Sequence, residues 1–314
     1  MSCIGDSIYP FSVFDPWQGE LCTCPKKYSL NPYTGCSFAC LYCYAKSYIG
    51  KKSSHPKMDF LKLMERALPK INRNLVVNLG TSSDPYPEEE KEHELTKGAL
   101  NLLIKGGFKV LITTKGGSIM LRDAELMAGG KVAVTPTVTT LSENIARKIE
   151  PGAPPPSERI ETAKKLSSLG IPIGFRIDPI IPGVNDDESE LRELVEVAAE
   201  VGAKMVVTST YKAKPLDFKD MVEAFPELEE RWRVLYFEEG ERIGGYRYLK
   251  RELREKMLAP VVNEAAKLGI EYATCREGLL SKEFFNSRSC DGSHLTENSF
   301  KHEKYKNKEG SEQL

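Results

Sequence analysis

The stretch Gly35–Ile49, GCSFACLYCYAKSYI, decides how the rest of the chain is read. It holds Cys36, Cys40 and Cys43, with three residues in the first gap and two in the second. No histidine stands among them. Thiolates are soft ligands that suit zinc or iron–sulfur clusters. A structural zinc site wants four ligands, usually as two close pairs, and no fourth follows here at zinc-finger spacing. A cubane iron–sulfur cluster also normally takes four cysteines, so a local set of three leaves one iron open to a ligand that is not protein. Unrelated core cysteines are a poor account of three thiols within one short loop.

Outward from this loop, strand and helix signals alternate. KYSLNPYT leads into it. A helix is predicted over MDFLKLMERALPKI, where Phe60, Leu61, Met64 and Leu68 repeat at helical spacing. LVVNLG from Leu75 reads as a strand, EEEKEHELTKGALNLLIKGG as an amphipathic helix closed by glycine. KVLITT from Lys109, KVAVTPTVTT from Lys131, IPIGFRID and AKMVVTST read as further strands. LRDAELMAGG, ERIETAKKLSSLG and DESELRELVEVAAEVG read as the helices between them, with the Pro-rich EPGAPPPSER as a turn.

About six βα units at this spacing indicate a parallel α/β fold. The handedness of βαβ units leaves an open doubly wound sheet or a barrel. A partial (β/α)6 barrel of the TIM type is the expected fold. Polar clusters fall just after the strands, at TSSDPYP, TTKGG, TPTVTT and DPIIPG, and strand C-terminal ends are where ligands bind. The expected organisation is a lead-in over 1–27, the barrel over 28–210, a mixed extension over 211–298 covering the substrate side, and a disordered tail over 299–314.

With 314 residues, the length suits one α/β barrel. The net charge of −1 excludes a global electrostatic pull onto nucleic acid, so any such binding must use a local patch. No apolar run reaches the length of a membrane span, and the N-terminus lacks the pattern of a signal peptide. A cytoplasmic setting is expected, where clustered cysteines are metal ligands or catalytic thiols rather than disulfides.

C-x3-C-x2-C directly after the first strand of an α/β barrel resembles the radical S-adenosylmethionine superfamily. Four further stretches resemble its spore photoproduct lyase-like group, often labelled DNA repair photolyases: GTSSDPYPEEE, TTKGGSIMLRD, IEPGAPPPSERIETAKKLSSLGIPIGFRIDPIIPGVND, and the pair CREG and CDGSHL. The resemblance spans Tyr28 to His294. It implies a [4Fe–4S] cluster held by Cys36, Cys40 and Cys43, with the fourth iron chelated by S-adenosylmethionine. It also implies reductive cleavage of that cofactor to a 5′-deoxyadenosyl radical, and an electron donor such as ferredoxin or flavodoxin. Tyr42 fills the aromatic place that packs near the adenine, and Ser83, Lys115 and Thr137 match positions that help hold S-adenosylmethionine.

Lys115 also has a reading of its own, because it ends an apolar strand run with its ammonium available to a carboxylate. Asp84 is a candidate acceptor for a ribose hydroxyl. Asp178 is a candidate of the same kind, and Arg176, its partner, joins the cofactor-binding set. The family's hydrogen-donating cysteine after the second strand is replaced here by Thr81, whose O–H bond is too strong for that role. Tyr86 and Cys275 are the candidate catalytic replacements.

Cys22, Cys24, Cys275 and Cys290 are a candidate second metal site, since four thiolates suit zinc or an auxiliary cluster. RIGGYRYLKRELREKM from Arg242 interleaves basic residues with Tyr246 and Tyr248, and YKAKPLDFK lies upstream. Such a pattern can meet phosphates and stack on bases, which makes nucleic acid the leading substrate class. Three alternatives remain: a noncatalytic zinc-stabilised nucleic-acid-binding module, a radical enzyme acting on a peptide or small molecule, and a hydrolase using Asp84 and Asp178. The phosphate-loop, nucleophile-elbow and zincin signatures are absent from the sequence.

Overall fold

The computed structural model describes residues 7–14 and 19–297. The tail expected over 299–314 lies outside them. Parallel strands form the wall: β1 (Lys27–Leu30), β2 (Val76–Leu79), β3 (Lys109–Thr114), β4 (Lys131–Pro136), β5 (Gly174–Ile180), β6 (Met205–Thr210) and β7 (Glu271–Thr274). β1 to β4 pair in one sheet and β5 to β7 in another, each in sequence order. Parallel bridges Val134–Ile173 and Thr137–Arg176 join the two across β4 and β5. Ser12–Phe14 adds an antiparallel edge strand against β1.

This order separates the two architectures left open by the sequence. A doubly wound sheet reverses its strand order partway, which puts helices on both faces. Here the order never reverses, so the right-handed crossovers keep the helices on one side and the sheet curls into a partial barrel.

The strands follow from composition. Val110, Leu111 and Ile112, and Val132, Ala133 and Val134, are buried on both faces of the sheet, which calls for unbroken apolar runs rather than alternation. Between strands, Pro156–Ser168 starts with proline at its first turn, where no N–H is needed, and Glu188–Val201 is capped by Asp187. The helix expected over EEEKEHELTKGALNLLIKGG is two pieces, Glu90–His93 and Leu95–Lys105, broken where Glu94 turns left-handed.

Two features of the extension add to what the sequence leads one to expect. The extension after residue 210 supplies a seventh parallel strand, β7, beside β6. Tyr246, Cys275 and Arg276 of this extension lie at the strands' C-terminal ends, while its last described part packs mainly elsewhere. Cys290 and Leu295 pack with Leu111, Ala133, Met205, Val207 and Ala273 in a small core inside the sheet. Ser287 bonds Glu271 at the start of β7, and Glu297 pairs with Lys109 at the start of β3, so this segment plugs the barrel from the strands' N-terminal ends. A partial barrel has an open interior to fill, and a chain segment fills it here.

Candidate active site

The C-terminal strand ends converge on one cavity of about 530 Å3. After β1 come Asn31 and the cysteine loop. Thr81, Ser83 and Asp84 follow β2, Lys115 follows β3, and Thr137 follows β4. β5 contributes Arg176 and Asp178, β6 leads to Ser209 and Lys212, and β7 leads to Cys275 and Arg276.

The cysteine loop is held from three directions. Cys36 N–H donates to Lys52 O at 2.8 Å, Leu41 N–H to Ile149 O at 2.8 Å, and Gly152 N–H to Phe38 O at 3.1 Å. A β-carbon on Gly152 would lie far inside van der Waals contact of the Ser37 carbonyl oxygen, so only glycine lets the EPGAPP turn approach the loop. Below the loop, Glu150 and Arg159 form a buried ion pair at 2.6 Å. Glu150 also accepts from the Tyr42 hydroxyl, and from Thr139 at 3.0 Å. Burial pushes the Glu150 carboxyl up, but Arg159, Lys115 and the Tyr42 hydrogen bond outweigh it and hold it below the usual range.

Cys36, Cys40 and Cys43 all line the cavity. Burial pushes the Cys36 thiol up to about 11 and the Cys40 thiol higher still. Such thiols become thiolates only when a cation offsets the loss of water, which is what binding to iron does. Lys115 is a cation beside Cys40, with its ammonium 5.4 Å from the Tyr42 ring centroid. Burial alone would lower the Lys115 pKa, but Cys40 and Glu150 raise it, so it stays charged.

Among the described residues, no group of three or more His, Cys, Asp or Glu side chains is arranged to hold a single metal ion. A four-iron cluster makes a different demand, since each cysteine binds a different iron and the thiolates stand apart. The three-thiol loop fits the cluster and not one zinc. Among the described residues, the expected four cysteines likewise form no second metal-ion site. Cys24 and Cys290 do meet at 3.5 Å, and Cys22 is hydrogen-bonded to Cys24, but the set does not form an ion's coordination sphere.

The other candidates divide. Ser83 lines the cavity while its hydroxyl donates to Tyr33 O at 2.8 Å. The backbone N–H of Thr137 donates to Thr114 O at 2.9 Å, and the Thr137 carbonyl accepts from Arg159. Arg176 pairs with Asp178 at 2.5 Å, and Ser209 donates to the other Asp178 oxygen. The Asp84 carboxylate accepts from Thr114 hydroxyl at 2.6 Å, Lys115 N–H at 2.7 Å and Tyr86 N–H at 2.9 Å. Three of its acceptor sites are used in fixing the loop at Lys115, which gives Asp84 a positioning role beside its expected one. Tyr86 is 2% exposed, lies outside the cavity lining, and donates its hydroxyl to Asp123 at 3.2 Å. It therefore does not reach the cavity in this structure. Cys275 lines the cavity beside Arg176.

The basic run at Arg242 is a mixed-charge surface with one buried member, since Arg242, Lys250, Arg251 and Lys256 are exposed. Arg254 is 3% exposed and pairs with Glu241 and Glu277, while Arg251 pairs with Glu255 and Lys250 with Glu239. These pairs neutralise part of the basic charge with neighbouring carboxylates. What reaches the cavity is Tyr246, with the Arg276 guanidinium 4.4 Å and the Lys214 ammonium 4.2 Å from its ring centroid. The Tyr246 hydroxyl is buried and makes no well-formed hydrogen bond.

Sequence reasoning missed Asn31, whose side-chain oxygen accepts from the N–H groups of Thr81 and Ser82 at 3.1 and 3.0 Å and so shapes the loop after β2. It also missed the Glu150–Arg159 pair. The available signal was two opposite charges flanking a Pro-rich turn, which predicts neither burial nor partner.

A family model described as the radical SAM superfamily matches residues 30–198. An uncharacterized protein of Mycobacterium tuberculosis is 27% identical over 258 residues, which is 76% of this chain and 74% of its own length. A Pseudomonas phage M6 protein named radical SAM Nalpha-GlyT isomerase is 22% identical over 258 residues, covering 79% of this chain and 53% of its own. A spore photoproduct lyase variant, solved with AdoMet and dinucleoside spore photoproduct bound, shares the fold. Its TM-score is 0.63 at 16% identity, covering 88% of this chain and 79% of that one. Among the described residues, no helix is long and apolar enough to cross a membrane. With more than half its length matched by the family model and a three-thiol loop suited to a cluster, the chain belongs to the radical SAM superfamily and is an enzyme of that superfamily.

Proposed function

We propose that Cys36, Cys40 and Cys43 hold the cluster, that the surrounding strand ends hold S-adenosylmethionine, and that the substrate is a nucleic-acid base. When bound, the cluster and S-adenosylmethionine supply a 5′-deoxyadenosyl radical that removes hydrogen from a substrate carbon. The chain's residues position the partners. Lys115 sets its ammonium against the cofactor carboxylate, held in place by Asp84 through the backbone. Ser83 keeps its acceptor lone pairs for a cofactor donor, because its proton is committed to Tyr33. Tyr42 presents a ring to the adenine with its hydroxyl tied to Glu150. Thr137 and Arg176 complete the cofactor side. Cys275 is the thiol from which a substrate radical regains hydrogen, in place of Thr81. An electron donor of the ferredoxin or flavodoxin class feeds the cluster.

The observation that carries the substrate reading is Tyr246 on the cavity wall, its ring flanked by Arg276 and Lys214. A buried aromatic between two cations suits a planar base attached to a phosphate. The spore photoproduct lyase of similar fold, solved with a dinucleoside photoproduct, supports the same choice. The test is isotope transfer from oligonucleotides deuterated on their bases into 5′-deoxyadenosine. Transfer that disappears in Arg276→Ala supports a nucleic-acid substrate. Stimulation of cofactor cleavage by peptides and not by oligonucleotides would move the substrate to another class.

A further inference from the structure

Four thiols outside the cysteine loop gather beside the cavity, two of them, Cys24 and Cys275, on its wall, and the cofactor reading leaves three of the four without a role. Cys290 donates its S–H to Cys24 Sγ at 3.5 Å. Cys22 is hydrogen-bonded to Cys24 as well. Cys24 is partly exposed and lines the cavity, whereas Cys290 is 1% exposed behind it. Lys27, 2% exposed, pairs with Asp291 next to Cys290 and sets a buried ammonium near Cys24. Cys275 is a further titratable neighbour of Cys24.

We propose that Cys24 and Cys290 form a thiol–disulfide exchange centre, with Cys24 as the attacking thiol and Cys290 as the resolving one, acting on a small disulfide that enters the cavity. The arrangement has the asymmetry this chemistry needs. The attacking sulfur must be reachable and must exist as thiolate, and the resolving sulfur must be adjacent and shielded. Hydrogen bonds from Cys22 and Cys290, followed by the Lys27 ammonium, hold the Cys24 thiol well below its ordinary range against the effect of burial.

The steps balance without a further reagent. The Cys24 thiolate attacks one sulfur of the small disulfide, forming a mixed disulfide and releasing one small thiolate. The Cys290 thiol loses its proton to a released thiolate and attacks Cys24 Sγ. The Cys24–Cys290 bond forms, and the second small thiolate leaves. Two protein thiols are oxidised by two electrons and one small disulfide is reduced to two thiols. Closure removes the Cys24 thiol from the cavity wall. It also ties the residues before β1 to the segment that plugs the barrel.

The inference goes beyond the proposed function, because exchange needs neither S-adenosylmethionine nor substrate. The test uses the full-length, cluster-loaded protein, prepared anaerobically and exposed to oxidised glutathione, then quenched by alkylation and mapped by peptide mass spectrometry. The expected product is a Cys24–Cys290 cross-linked peptide. Cys290→Ser should stop at glutathione on Cys24, and Cys24→Ser should give neither product. Should Cys24→Ser fold poorly, the wild type still decides the question. Its Cys24 should react with iodoacetamide at about pH 6.5 roughly tenfold or more faster than Cys275. Glutathione on Cys22 or Cys275 with Cys24 untouched would overturn the proposal. So would a Cys24 shielded from alkylation until a metal chelator is added.

Discussion

Replacing Glu150 with alanine tests how the cysteine loop is held. Glu150 is 1% exposed and meets Arg159, also 1% exposed, at 2.6 Å. Removing one partner of a buried ion pair costs about 3–5 kcal/mol, mainly because the other charge is left without compensation. Arg159 keeps its bonds to Pro154 O at 2.7 Å and Thr137 O at 3.1 Å, which argues for the lower end, about 3 kcal/mol. For a chain of this size that loss lowers the melting temperature by roughly 5–10 °C. The Tyr42 hydroxyl loses its acceptor too, so iron uptake on reconstitution should fall with stability.

Acid should mimic the substitution. The Glu150 carboxyl is held below its ordinary value of 4.5 in the folded state. Its contribution is therefore present above that value and is lost as pH falls through the folded one, so wild type and variant converge in acid. The assay is chemical and thermal unfolding of the apoprotein across pH, with iron per chain measured after reconstitution. Glu150→Ala/Arg159→Met should recover most of the stability, because no unpaired charge remains. A single variant as stable as wild type, loading iron normally, would refute the reasoning.

Other outcomes follow from the same geometry. Gly152→Ala should cost about 1–3 kcal/mol through the clash with Ser37 O and sharply reduce iron incorporation, read by iron analysis and unfolding. Tyr86→Phe should cost about 1 kcal/mol from one buried hydrogen bond and leave the yield of 5′-deoxyadenosine unchanged. Lys115→Met should weaken S-adenosylmethionine binding about tenfold or more by equilibrium titration. The raised Lys115 pKa keeps the ammonium charged, so that loss should not vary through the neutral pH range.

Much of this was legible in the sequence because it is local. The cysteine spacing, the apolar runs of β2 to β6 and the polar residues closing them lie within a few positions of one another. What failed was non-local. Tyr86 follows Asp84 closely enough to look like a site neighbour, yet proline turns bury its ring against Asp123. Asp84 looks like a free carboxylate until Thr114 and Lys115, some thirty positions on, are seen bonding to it. The basic run at Arg242 loses Arg254 to Glu277, a partner no linear pattern names. β7 was missed because EYAT is short and follows the long helix Arg251–Lys267, so only pairing with β6 reveals it.

The most direct measurement is anaerobic. The reconstituted, reduced protein is given S-adenosylmethionine and assayed for 5′-deoxyadenosine, with Cys40→Ala alongside and with oligonucleotides added and withheld. The account predicts four-iron absorbance and 5′-deoxyadenosine from the wild type alone. A wild type that binds zinc instead of iron, or a Cys40→Ala variant that cleaves the cofactor equally well, would contradict it.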